Sequence, residues 1–70
     1  MANRRISMEL ISEPEGAVIR SRSAPALTGT GSIDHACGGC DVVIAASMKE
    51  GEIAGVAFRC PACGRVNRSR

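Results

Sequence analysis

Aromatic residues are almost missing from this chain of 70: Phe58 is the single one, with no tryptophan and no tyrosine. Aromatic side chains supply much of the buried area in ordinary cores. A chain this short without them cannot build a large core and needs a metal, disulfides or a partner to fold. The same scarcity removes the stacking platforms that hold single-stranded nucleic acid by its bases. Long apolar runs are missing too. No segment approaches the length of a membrane-spanning helix, and the opening Met1-Ala2-Asn3-Arg4-Arg5-Ile6-Ser7 has no apolar stretch of signal-peptide length. The expectation is a cytoplasmic protein with no membrane partner. Strong charge is also lacking: the formal +2 does not by itself argue for nucleic acid. No nucleophile–base pair is apparent, so neither enzyme activity nor a small-molecule substrate is expected.

What the chain does have is four cysteines in two pairs, Cys37-Gly38-Gly39-Cys40 and Cys60-Pro61-Ala62-Cys63, separated by residues 41–59. A gap of roughly fifteen to twenty residues between two such pairs is the spacing of a four-cysteine zinc site. Two cysteines three positions apart on a tight turn can point at one ion. Gly38 and Gly39 loosen the first turn, Pro61 fixes φ in the second, and Gly64 can take a positive φ and curl the chain under the metal. In a reducing compartment such thiols serve as metal ligands rather than disulfides. A site closed by four sulfurs leaves zinc no open position for water or substrate. Cys37, Cys40, Cys60 and Cys63 are therefore expected to carry one structural Zn2+, with iron as the alternative metal. Four thiolates and one zinc add a net −2, which brings the loaded chain near neutrality.

The rest of the chain divides in two. Residues 1–32 read as an N-terminal extension. Ile6, Met8 and Leu10 alternate with polar residues as in a short strand with one buried face. The segment Ser12-Glu13-Pro14-Glu15-Gly16 is a turn; Ala17-Val18-Ile19-Arg20 either returns as a partner strand, giving a short extra hairpin, or belongs to a tail that is flexible throughout. Ser21 to Ser32, with Pro25, Gly29 and Gly31, has the composition of a flexible linker. Residues 33–70 read as the metal-binding domain. Asp41-Val42-Val43-Ile44-Ala45-Ala46 is a β-branched strand, Lys49-Glu50-Gly51-Glu52 a polar turn, and Ile53, Val56 and Phe58 lie on the next apolar run. Val66 marks a short third strand after the second pair. Val42, Ile44, Ile53, Val56 and Phe58 are the candidate core. The fold class expected is small, mostly β and metal-stabilised.

The order knuckle, strand, turn, strand, knuckle, short strand, together with Cys60-Pro61-Ala62-Cys63-Gly64, resembles the rubredoxin-type zinc ribbons. The run Phe58-Arg59-Cys60-Pro61-Ala62-Cys63-Gly64-Arg65-Val66-Asn67, with Cys37-x2-Cys40 and Gly51-Glu52-Ile53, is also similar to the small Com-type zinc fingers of Mu-like phages. The second resemblance implies a messenger-RNA-binding regulator.

On the residues themselves, the leading expectation is a non-catalytic binding module for RNA or DNA. Arg59, Arg65, Arg68 and Arg70 flank the second pair, and Asn67 is placed to contact a base; phosphates would supply most of the affinity. Plain solvated arginines are the competing reading. The other expectation is a protein-interaction adaptor, docking through the N-terminal segment by strand pairing. A rubredoxin-like electron carrier is a third. His35, two residues before Cys37, is expected near the site but not in it, since four cysteines already complete a tetrahedron.

Overall fold

Cysteine pairs that each close a tight turn put a hairpin at each pair, and the chain is built on two such hairpins. The computed structural model describes residues 3–12 and 16–69. Its strands are β1 (Arg4–Ser7), β2 (Glu9–Ile11), β3 (Val18–Ile19), β4 (Leu27–Thr28), β5 (Ile33–Ala36), β6 (Val43–Met48), β7 (Ala57–Arg59) and β8 (Val66–Arg68). They form two four-stranded sheets, ordered β1-β5-β6-β4 and β2-β8-β7-β3. The fold is small and mostly β, and none of the described elements is a helix.

The middle of each sheet is an antiparallel pair, β5–β6 in one and β7–β8 in the other, and each pair turns through its own cysteine pair. The sequence order of knuckles and strands is realised, but the pairing differs from expectation. The strand after the first knuckle and the strand before the second do not form a hairpin with each other; β6 and β7 lie in different sheets. Residues 49–55 explain this, because they hold successive turns rather than one tight reversal. Glu52 N donates to Lys49 O (3.1 Å), Ala54 N to Gly51 O (3.3 Å) and Val56 N to Ile53 O (3.0 Å). The Glu52 carboxylate also accepts from Lys49 N at 2.8 Å. This segment carries the chain from one sheet to the other.

The N-terminal strands pair with the C-terminal half and not with each other, which corrects the expected hairpin. β1 runs parallel to β5, β2 antiparallel to β8, and β3 parallel to β7. The expected strand through Ile6 and Leu10 is broken at Met8. There the chain leaves one sheet and enters the other, with Met8 N donating to Ala36 O at 2.8 Å. The turn expected at Ser12–Gly16 falls largely on residues 13–15, outside the described residues. The supposed linker is also placed: β4 pairs with β6, and Gly31 N donates to Ser47 O at 2.7 Å. Gly31 is required by close approach, since a Cβ there would meet Met48 backbone atoms at 2.3 Å.

The core lies between the sheets. Ile44, Phe58, Met8, Met48, Ile53 and Ala45 are buried together with Cys37 and Cys60, and Val42, Val56, Ile19 and Ala26 pack against them. Phe58, fully buried, is the one large anchor. The two methionines fill space that a second aromatic would otherwise occupy; flexible thioethers suit irregular gaps.

Candidate metal centre

The two knuckles repeat the same backbone device. Asp41 N donates to Cys37 O (3.0 Å) and Cys37 N to Val42 O (2.8 Å); in the second knuckle Gly64 N donates to Cys60 O (2.9 Å) and Cys60 N to Arg65 O (2.8 Å). The residue after each second cysteine is left-handed, with φ 68° at Asp41 and 78° at Gly64. Glycine takes that conformation freely, and aspartate tolerates it better than most residues. The sequence signalled the second position but not the first.

These turns bring the four sulfurs together. The Sγ atoms of Cys37, Cys40, Cys60 and Cys63 all lie within 4.8 Å of one another. Across the knuckles, Cys37 and Cys63 are 3.6 Å apart and Cys40 and Cys60 3.5 Å. Zinc bound by four thiolates at about 2.3 Å requires sulfur–sulfur separations of roughly 3.8 Å. All four thiols are free, so no disulfide competes. Four sulfur donors and no oxygen suit soft metals, not magnesium or calcium. The first cysteine of each knuckle is buried and the second exposed, so the centre lies at the surface with its inner half in the core.

Donors surround the sulfurs unequally. Burial raises the Cys37 thiol, but the N–H groups of Cys40 and Gly39, the Asn67 amide and the Cys63 thiol outweigh it and bring Cys37 down to about 6. At Cys40 the Val42 N–H favours the thiolate. Burial and the thiols of Cys60, Cys63 and Cys37 outweigh it and push Cys40 up to about 12. Cys63 is likewise raised: the Arg65 N–H favours its thiolate, while burial and the thiols of Cys37 and Cys60 oppose it. Without a divalent cation the cluster holds one thiolate readily and resists further ones. A cation at the centre reverses that resistance.

Asn67, expected to contact a base, points into the fold. It is fully buried and spans the knuckles: its Oδ1 accepts from Gly38 N at 2.8 Å, and its Nδ2 reaches Cys37 Sγ at 3.4 Å and Arg65 O at 3.3 Å. Both ends of its amide are thus taken up within the protein, one of them beside a candidate ligand sulfur. The signal was in the strand alternation: Asn67 stands opposite Phe58 in register and so faces inward.

The other candidates fall outside the cluster. His35 is on β5, nearly buried, with Nδ1 unpartnered, and burial holds its imidazole below the ordinary range against the Asp34 carboxylate. Arg59, Arg65 and Arg68 are exposed on or beside the second hairpin; Arg70 lies outside the described residues. Arg59 and Arg65 line a groove of about 580 Å³ together with Leu10, Ile11, Ser12, Gly64 and Val66. Arg68 lines a second groove, of about 300 Å³, that shares Ile11 as a wall. No described helix is long and apolar enough to cross a membrane. Comparison with protein families, with characterised proteins and with solved structures found no match.

Proposed function

We propose that this chain is a non-catalytic binding module held together by one zinc ion, of zinc-ribbon type, which takes the phosphate backbone of RNA or DNA on its second hairpin. The four sulfurs of Cys37, Cys40, Cys60 and Cys63 would complete the metal's coordination and leave no position for a substrate, so zinc serves the fold and not a reaction. The observation that carries the nucleic-acid reading is the placement of three exposed arginines, Arg59, Arg65 and Arg68, along two adjoining grooves. Glu9 stands opposite Arg68 in register, so Arg59 and Arg65 carry more of the available charge. Asn67 is turned inward and Phe58 is buried, which removes the side-chain amide and the one aromatic ring as base contacts. The reading is therefore of phosphate contacts with little sequence preference.

An amide NMR titration of the zinc-loaded protein with a mixed RNA pool tests this at low and moderate salt. Shifts should cluster at Arg59, Arg65 and Arg68 and fade as salt rises. Three phosphate contacts on a single strand give a slope of log affinity against log salt of about −2. No shifts at low salt would remove the reading.

A further inference from the structure

One side chain of the second hairpin reaches the first knuckle. A Cβ placed on Gly39 would lie 3.2 Å from Cδ of Arg65, 3.6 Å from its Nη1 and 3.7 Å from Sγ of Cys37. Nη1 of Arg65 and Sγ of Cys37 thus both border the space over Gly39, each within contact distance of the same point. Gly39 and Cys40, beside it, are exposed, as is Cys63 across the centre, so Arg65 lies on the solvent side. The absence of a side chain at Gly39 is what leaves the path open. Arg59 does not share this placement, since its Nη1 turns to Gly64 O of its own knuckle at 2.9 Å.

A divalent metal held by four thiolates carries a net −2, half of whose ligating residues here face water. A cation beside such a cluster favours the thiolate forms, and its stem covers part of the exposed face over Gly39. We infer that Arg65 caps the metal centre: it offsets the thiolate charge, bridges the two knuckles and slows metal loss. This role is independent of nucleic-acid binding, and it stands or falls on metal retention alone.

The test is zinc release from the full zinc-loaded chain into an excess of an uncharged chelator; an anionic one would itself be drawn to Arg65. Wild type is compared with R65Q, R65K and R22Q, the last removing an exposed charge elsewhere. R65Q should release zinc on the order of three- to tenfold faster than wild type, the effect of one screened charge beside the cluster. R65K should restore most of the difference and R22Q should match wild type. Raising the salt should narrow the gap between wild type and R65Q. Release by R65Q at the wild-type rate, an equal acceleration in R22Q, or a gap indifferent to salt would overturn the inference. Should R65Q not retain zinc through purification, the wild type alone decides: release that quickens several-fold with salt supports the cap, and salt-independent release rejects it.

Discussion

Asp41 and Gly64 hold the same place in the two knuckles, with φ of 68° and 78°, and one of them is the wrong residue for it. Left-handed backbone costs a non-glycine residue on the order of 1 kcal/mol, somewhat less for aspartate. The ion pair between Arg5 and Asp41, 3.0 Å long and half exposed or more on both sides, offsets little of this. Asp41→Gly should therefore stabilise the zinc-loaded protein by about 0.5–1 kcal/mol in denaturant unfolding, and Gly64→Ala should destabilise it by about 1 kcal/mol. No atom lies within 4 Å of a Cβ added at Gly64, so that loss would come from the backbone alone. A neutral or destabilising Asp41→Gly would show that the Arg5 contact matters more than the conformation. Asn67 makes a second prediction at this scale. Asn67→Leu keeps the branching and heavy-atom count of the side chain but strands Gly38 N, removes a donor to Cys37 Sγ and adds bulk at a fully buried site, which should cost roughly 1–3 kcal/mol or more. The variant should also weaken zinc binding, read by competition with a chelator of known affinity.

Among the elements, the strands after the first knuckle were legible, whereas β5 before it and the pairing partners were not. Apolar runs around the two Cys-x2-Cys turns mark β6, β7 and β8, because tight turns and period-two patterns are local properties; Ile33-Asp34-His35-Ala36 interrupts such a run with two polar residues. Which strand lies beside which depends on contacts distant in sequence. Ile6, Met8 and Leu10 alternate as one strand would, yet Met8 is buried while Leu10 is exposed, because the chain changes sheets between them. Gly29 and Gly31 look like linker residues by composition; here glycine permits close backbone approach to β6, a requirement invisible without the neighbour. Met8 sits where the N-terminal segment crosses from one sheet to the other and contributes to the shared core. Met8→Ala should cost about 2–5 kcal/mol, whereas Leu10→Ala, on an exposed residue, should cost well under 1 kcal/mol. Equal effects in thermal unfolding would mean that the segment does not cross as described.

For the molecule as a whole, the metal centre was the most legible feature and the surface the least. Cysteine spacing is a nearly direct statement of chemistry; arginines on a hairpin state only that a surface is charged. The electrostatics of the free cluster give the centre a definite pH dependence. Cys37 is depressed to about 6. In the folded arrangement its thiolate therefore forms with the least resistance of the cluster, and that preference is lost as pH falls through about 6. Cys40, pushed up to about 12, and the raised Cys63 still hold their protons at neutral pH and must give them up on binding metal. Between pH 6.5 and 8.5 zinc affinity should thus rise by about two decades per pH unit or more. A competition titration at three pH values checks this, and a flat profile would contradict it. With one aromatic residue in the chain, the free energy of such a site, on the order of 10 kcal/mol or more, exceeds what the rest of the core supplies. Because β1, β2 and β3 pair with the knuckle hairpins, loss of the metal should disorder the N-terminal segment as well. The most direct test is an amide NMR spectrum of the protein, shown by native mass spectrometry to hold one zinc, before and after chelation under reducing conditions. The account predicts that dispersion collapses throughout, Ile6 and Met8 included, and returns when zinc is added back; a spectrum that keeps its dispersion without metal would contradict it.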